Sequence, residues 1–228
     1  MIIFKSINKL IKEVNFKANI GFVPTMGSLH KGHISLIKLS KKKCKKTLVS
    51  IFINPTQFNK KSDLKKYPNN LKNDIKILKL LKVDFLLIPS FRDVYKNKND
   101  TKIKLNKVDK IMCALHRPGH FEGVLAVIKQ FLQNFKPRYI FFGEKDYQQL
   151  FLIKKFIKNK FKTKILSCPT VRDKNNLALS SRNILLDNKD IKKSSLIANL
   201  LIKFKKKIQK NISNQNELNS IIYKINKI

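Results

Sequence analysis

The sequence predicts an α/β fold in which helices cover both faces of a parallel sheet. Five short runs that are apolar at nearly every residue carry the strand prediction, at residues 20–23, 48–53, 83–88, 139–142 and 164–167. Strands of this composition are usually buried on both faces. Helical patterns lie between these runs, and alternation of strand and helix is typical of a Rossmann-like sheet.

Three stretches show the apolar spacing of helices that pack on a sheet. One has Leu71, Ile75, Leu78 and Leu81 on a single face, and a second covers residues 124–135. The third has Leu150, Ile153 and Ile157 on one face. A further helix is expected to begin near His33, after the strand at 20–23 and a turn that contains Gly27.

The pattern changes after Val171, where the polar stretch RDKNNLALSSRN begins. Two amphipathic segments follow it: one has Ile197, Leu201, Phe204 and Ile208 at helical spacing, and the other starts at about Asn216. We therefore expect two domains, a Rossmann-like domain over residues 1–170 and a small, mainly helical unit over residues 171–228.

Composition indicates a soluble globular protein of the cytoplasm. The chain has 228 residues, 43% of them hydrophobic and 16 of them Phe, which argues against disorder. No apolar run approaches the roughly 20 residues of a membrane helix, and the first residues lack the pattern of a signal peptide. Cys44, Cys113 and Cys168 have no metal-binding spacing, so we expect reduced, structural thiols.

The net charge of +36 raises the alternative of a basic nucleic-acid-binding protein. Only five of the 50 basic residues are Arg, and the lysines are scattered among abundant Asn, Ile and Phe. Proteins that recognise nucleic acid use Arg more freely. We therefore attribute the charge to a bias in composition and expect neither a specific nucleic-acid partner nor a membrane partner.

The stretch TMGSLHKGH, residues 25–33, combines a strand end, a glycine turn and two histidines at a helix start. Free N–H groups and the dipole at a helix N-terminus favour phosphate. Gly32 allows close approach of a phosphate, and His30 and His33 can donate hydrogen bonds to negative charge on a reacting phosphorus. The alternatives are histidines that cap the helix or lie in the core, and a zinc site.

Two other stretches are candidates for anion binding. In FFGEKDYQQL, Lys145 and Asp146 follow a predicted strand, where Lys145 could hold phosphates and Asp146 could hold ribose or Mg²⁺. The alternative is an ordinary charged turn. The second stretch, LALSSRN at 177–183, has two hydroxyls and an arginine in what we expect to be a flexible loop that could close over pyrophosphate.

Two glutamines and a second histidine pair are each open to two interpretations. Gln57 in NPTQF and Gln149 in YQQL are either ordinary polar residues or amides that recognise a hydroxyl or carboxylate. In LHRPGHFEGV, a proline and a glycine separate His116 from His120 and interrupt any helix that would align them. We expect these two histidines to be structural residues of a loop rather than metal ligands.

Taken together and in order, VPTMGSLHKGH, SIFINPTQF, RPGHFEGV, FFGEKDYQQL and LALSSRN closely resemble the pantothenate synthetase (pantoate–β-alanine ligase) family of HIGH-type nucleotidyltransferases. The resemblance extends to about residue 200 and implies a two-step reaction. The carboxylate of (R)-pantoate would attack the α-phosphorus of ATP to give pantoyl adenylate and diphosphate. β-Alanine would then displace AMP and form pantothenate.

The resemblance also implies roles for individual residues. His33, His30 and Lys145 would be catalytic, with His33 as the proton donor. Gln57 and Gln149 would bind pantoate. The residues it assigns to ATP are Met26, Gly27, Ser28, Leu29, His30, Lys31, Gly32, His33, Gly143, Glu144, Lys145, Asp146, Val171, Leu179, Ser180, Ser181 and Arg182. It further implies Mg²⁺ with the ATP, no metal bound by protein residues alone, a homodimer, and a truncated C-terminal domain over residues 171–228. The alternative within this superfamily is another HIGH-type adenylyltransferase that leaves the nucleotide on its product.

Overall fold

The computed structural model describes residues 1–209 and 215–228. The chain forms two compact units, Met1–Pro169 and Thr170–Ile228. Within the described residues, no helix has the length and apolar character needed to cross a membrane.

The first unit is built on a six-stranded sheet in which every pair of neighbouring strands is parallel. The strands are β1 (Ile2–Phe4), β2 (Ile20–Thr25), β3 (Lys46–Ile51), β4 (Phe85–Leu87), β5 (Tyr139–Gly143) and β6 (Lys164–Cys168), in the spatial order β1-β4-β3-β2-β5-β6. The predicted Rossmann-like sheet is confirmed. The sequence did not predict β1, which has only three residues and pairs at the sheet edge with β4.

Eight helices of the first unit surround this sheet. They are α1 (Ile7–Glu13), α2 (Lys31–Lys43), α3 (Lys61–Lys66), α4 (Leu71–Leu80), α5 (Phe91–Val94), α6 (Cys113–His116), α7 (His120–Phe135) and α8 (Tyr147–Ile157). The predicted helices near 71–81, 124–135 and 150–157 are confirmed as α4, α7 and α8. The helix expected near His33 begins at Lys31, because the side chain of His30 caps it.

Alternation along the central strands divides the core into two layers. On β2, Phe22 contributes to a cluster with residues of α1, α7 and α8, whereas Val23 contributes to a cluster with residues of α2 and α4. On β3, Leu48 and Val49 divide between the same two clusters. All four side chains are completely buried, as expected for a sheet covered on both faces.

The strand order places a topological switch point beside β2. The chain moves from β2 to β3 and β4 on one side, and then returns to add β5 and β6 on the other side of β2. In open parallel sheets, ligands bind in the crevice at the carboxyl ends of the strands where the order reverses. The turns that follow β2, β3 and β5 are therefore the places to look for a site.

The second unit contains two helices, α9 (Asn188–Gln209) and α10 (Gln215–Asn226), and both fall where the sequence predicts helix. An isolated antiparallel bridge joins Arg172 to Ala178 ahead of α9. The Asn199 side chain on α9 donates a hydrogen bond to the carbonyl of Asn175 at 3.2 Å, which ties this hairpin to the helix.

Candidate active site

The turn after β2 is held by a buried carboxylate. The backbone takes positive φ angles at Gly27 (80°) and Ser28 (51°), which glycine adopts freely and serine does not. Asp74, on α4 and 1% exposed, accepts hydrogen bonds from the N–H groups of Ser28 (2.8 Å) and Leu29 (2.7 Å). Both carboxylate oxygens therefore fix the chain just before His30.

His30 and His33 form a reciprocal cap at the start of α2. The Nδ1 atom of His30 accepts a hydrogen bond from Gly32 N–H at 3.0 Å, and the Nδ1 atom of His33 accepts from His30 N–H at 3.3 Å. A ring nitrogen that accepts from a backbone N–H has no proton of its own, so each neutral ring carries its proton on Nε2. The ring centroids lie 4.1 Å apart, which leaves two adjacent Nε2–H donors at a helix N-terminus.

Burial keeps both imidazoles neutral. It lowers the pKa of His33 to about 3, with smaller contributions from His30 and Lys145. The pKa of His30 is also lowered, first by burial and then by the positive charge of Lys145, while Asp146 opposes the shift. Two neutral N–H donors beside a lysine suit an anionic oxygen better than a metal ion, which would require a deprotonated ring nitrogen facing it.

The second part of the site follows β5. Gly143 ends the strand, and residues Glu144–Asp146 form a single 3-10 turn that leads directly into α8. The ammonium group of Lys145 lies 2.7 Å from the Asp146 carboxylate, and both side chains remain partly open to solvent. β5 pairs directly with β2, so Lys145 and Asp146 follow the strand next to the one that leads to the histidine pair, and both charges act on the pKa of His30.

The third part is the turn after β3, where Asn54 caps a 3-10 turn, Pro55–Gln57. Asn54 is 1% exposed, and its Oδ1 atom accepts hydrogen bonds from Thr56 and from the Tyr95 hydroxyl. The amide of Gln57 donates to the sulfur of Met26. This contact joins the turn after β3 to the turn after β2, so predicted residues from two strands lie side by side.

The two neighbouring glutamines of YQQL have different roles. Gln148 binds the loop before α6, because it accepts from Cys113 N–H at 3.0 Å and donates to the Ile111 carbonyl at 2.8 Å. Gln149 is partly buried, and in the part of the chain that the structure describes its side chain forms no hydrogen bond. Gln149, the residue singled out from the sequence, is therefore the amide available to a ligand.

The predicted ATP residues after Pro169 lie in the second unit. Val171 and Leu179 form a backbone hydrogen bond, from Leu179 N–H to the Val171 carbonyl at 3.0 Å. Ser180 accepts from Arg182 N–H at 3.3 Å and caps the 3-10 turn Ser181–Leu185. The stretch expected to be a flexible loop is thus a hairpin followed by a capped turn.

Asp74 and Asn54 are not among the site residues that the sequence predicts. A signal for Asp74 was available: it occupies the i+3 position after Leu71, on the face shared with Ile75 and Leu78, where a carboxylate is out of place unless it has partners. Asn54 stands in the quoted motif NPTQF, and Asn is typical of helix caps.

The fold and these three strand-end turns define a Rossmann-like enzyme that handles a nucleotide. The family model described as Pantoate-beta-alanine ligase matches residues 3–227. The chain is 48% identical over 217 residues to the pantothenate synthetase of Francisella tularensis subsp. mediasiatica, which covers 94% of this chain and 79% of the relative. The chain belongs to the pantoate-beta-alanine ligase family.

Solved structures agree with this result. The pantothenate synthetase of Thermus thermophilus superposes with a TM-score of 0.93 at 30% identity, over 100% of this chain and 83% of that one. The pantoate-beta-alanine ligase of Francisella tularensis, complexed with beta-gamma ATP and beta-alanine, gives a TM-score of 0.85 at 44% identity. That match covers 98% of this chain and 85% of the other.

Proposed function

We propose that this chain condenses (R)-pantoate with β-alanine at the expense of ATP, giving pantothenate, AMP and diphosphate. The observation that carries the proposal is the reciprocal His30–His33 cap, which aims two neutral Nε2–H donors out of a helix N-terminus at the switch point. Family membership, and a relative whose structure holds beta-gamma ATP and beta-alanine, support the substrates.

In the first step, a pantoate carboxylate oxygen forms a bond to the α-phosphorus of ATP while the bond to diphosphate breaks. Displacement at phosphorus depends on positioning and charge stabilisation, and no nucleophilic side chain is needed. His30, His33 and Lys145 would stabilise the charge on the phosphate oxygens. Because burial lowers the pKa of His33, it acts as a neutral hydrogen-bond donor, and only the charge of bound phosphates would raise its pKa toward that of a proton donor.

In the second step, the amine of β-alanine attacks the acyl carbon of pantoyl adenylate, and AMP leaves with the oxygen that came from pantoate. We assign pantoate to Gln57 and Gln149, whose amides offer both donors and acceptors for a hydroxy acid. ATP is assigned to residues 26–33 and 143–146, all of which lie in the first unit.

Mg²⁺ fits the residues of this site as a companion of ATP. The Asp146 side chain is 59% exposed and can offer a carboxylate oxygen. Among the described residues no group of three or more His, Cys, Asp or Glu could hold a metal. Mg²⁺ commonly binds through one or two carboxylates together with substrate phosphates, so Asp146 would hold it and the ion would neutralise phosphate charge.

We also propose that the enzyme is a cytoplasmic homodimer, as family resemblance implies. Exposed apolar side chains support a subunit contact: Ile111, Met112 and Leu115 lie in or near the segment bound by Gln148, and Tyr147 precedes Gln148 on α8. Groups of exposed apolar side chains often mark interaction sites.

The reaction is tested with pantoate labelled with ¹⁸O in its carboxylate, incubated with ATP, Mg²⁺ and purified protein, with and without β-alanine. We expect AMP that carries ¹⁸O, formed in amounts that depend on β-alanine. AMP release that ignores β-alanine would refute the proposed ligase reaction, and AMP without label would exclude the adenylate.

Two variants of His33 provide the matched comparison for this assay. His33→Gln places an amide N–H near the position of Nε2, whereas His33→Ala removes the donor. We expect His33→Ala to lower kcat by roughly 10²–10³ and His33→Gln to lower it less, as for other donors that stabilise a transition state. Equal activities of the two variants would contradict the donor role.

A further inference from the structure

The RPGHFEGV stretch, residues 117–124, contacts the turn that carries Gln57 and has no role yet in the proposed reaction. His120 begins α7 rather than lying in a loop as expected from the sequence. Its Nδ1 atom lies 2.7 Å from the Gln57 carbonyl oxygen, and both residues are 8% exposed. A carbonyl oxygen can only accept, so His120 Nδ1 carries a proton and donates it to this bond.

Gly123 makes the second contact, one helical turn further along α7. A Cβ atom at this position would lie 2.8 Å from the Gln57 backbone nitrogen and closer still to the Thr56 carbonyl. Only glycine lets the helix approach the turn so closely. The Gly123 carbonyl in turn accepts a hydrogen bond from the Asn54 amide at 3.0 Å.

A third contact lies at the other end of the turn, where the Asn59 amide donates to the Pro118 carbonyl. Gly119, with φ of 82°, lets the chain reverse between this carbonyl and α7. Residues 54–59 are therefore tied to residues 118–123 at both ends and at Gln57 between them.

We propose that His120 and Gly123 are positioning residues that set the place of Gln57 and so govern recognition of the carboxylic acid substrate rather than of ATP. The proposal rests on the assignment of Gln57 to pantoate in the proposed function. It follows from where the supports lie: α7 holds the turn after β3, whereas Asp74 of α4 holds the turn with His30. Loss of the hydrogen bond from His120 to Gln57 therefore leaves the hydrogen bonds from Ser28 and Leu29 to Asp74 intact.

The experiment compares variants by steady-state kinetics in which pantoate and ATP are varied separately at saturating β-alanine. His120→Asn keeps an amide N–H near the position of Nδ1, and His120→Gln moves it to the position of Nε2. Gly123→Ala adds the Cβ that the turn has no room for. His116→Ala, in the exposed histidine of the same motif, is the matched control. Leu132→Ala, in the buried core of α7, is the control for general destabilisation.

We expect His120→Gln to raise the KM for pantoate roughly tenfold, since one hydrogen bond is worth about that factor. Gly123→Ala should raise it roughly tenfold as well, because the added Cβ displaces the turn that carries Gln57. In both variants the KM for ATP should stay within about twofold. His120→Asn should restore most of the pantoate KM. His116→Ala and Leu132→Ala should leave the ratio of the two KM values unchanged, although Leu132→Ala lowers the unfolding temperature.

Equal changes in both KM values, or no difference between His120→Asn and His120→Gln, would overturn the proposal. If Gly123→Ala does not fold, the comparison of His120→Asn with His120→Gln still tests the proposal, because both variants keep a side chain of similar size. A wild-type protein without pantoate-dependent AMP formation would instead refute the proposed function, and with it the assignment of Gln57, before any variant is measured.

Discussion

Replacement of Asp74 by Asn tests whether a single buried carboxylate orders the nucleotide turn. The change conserves shape but leaves one oxygen where the native side chain has two. One of the two N–H groups, from Ser28 or Leu29, would then face an amide NH₂ instead of an acceptor. Because Asp74 is 1% exposed, water cannot replace the lost partner.

The expected magnitude follows from these contacts. A hydrogen bond to a charged group contributes about 1.5–3 kcal/mol, and an unsatisfied buried donor costs about 1–3 kcal/mol. These two energies describe partly the same lost interaction, so they cannot simply be added. We expect Asp74→Asn to lower the free energy of unfolding by about 2–4 kcal/mol. The turn also places His30, so kcat/KM for ATP should fall by at least about tenfold.

Urea denaturation and ATP kinetics measure the two effects. Glu13→Gln is the control, because it removes a carboxylate whose side chain is 48% exposed and whose ion pair with Lys9 is 3.9 Å long. Such surface pairs contribute about 0–1 kcal/mol. If Asp74→Asn were as stable as Glu13→Gln, the carboxylate would not be holding the turn. If stability fell without any change in ATP kinetics, the turn would not be placing His30.

Two further predictions concern the histidine cap and the paired glutamines. Because folding lowers the pKa of His33 to about 3, from about 6.5 in the unfolded chain, the unfolded state binds more protons between these values and stability should fall as the pH decreases through this window. Urea titrations from pH 7 to pH 4 should show this dependence flattened in His33→Gln, and an unchanged slope would contradict the burial of His33. Gln149→Ala should raise the KM for pantoate with little change in unfolding temperature. Gln148→Ala should instead lower the unfolding temperature, because the two hydrogen bonds of Gln148 hold the loop at Ile111 and Cys113. Kinetics and thermal unfolding of both variants check this, and the reverse assignment would show that the wrong glutamine faces the substrate.

Much of the sheet and its helices could be predicted because burial on both faces leaves a direct trace in the sequence. The runs that became β2, β3 and β5 are apolar almost throughout, and α4, α7 and α8 show helical spacing. β1 is just as apolar, Ile2–Phe4, but a run of three residues is too short to be distinguished from a helix start by its apolar pattern.

The candidate site was predicted in its residue types and only partly in its geometry. α2 begins at Lys31, close to the start predicted near His33, and the cap by His30 sets this boundary, although His is not among the residues that commonly cap helices. Which of Gln148 and Gln149 faces the loop at Ile111 depends on how α8 is rotated about its axis relative to that loop. The contact joins residues far apart in the chain, so local sequence does not encode it. The same holds for Asp74, whose partners lie 45 and 46 residues away.

The structure supports the two substrate turns from opposite faces of the sheet. α4, which carries Asp74, packs in the core layer that contains Val23, whereas α7, which carries His120, packs in the layer that contains Phe22. β2 separates these layers: Asp74 accepts hydrogen bonds from Ser28 and Leu29 in the turn after β2, whereas His120 donates to the Gln57 carbonyl in the turn after β3. A substitution in one layer should therefore disturb mainly the turn that this layer supports. For this reason the KM for pantoate and the KM for ATP can report separately on the turn after β3 and the turn after β2.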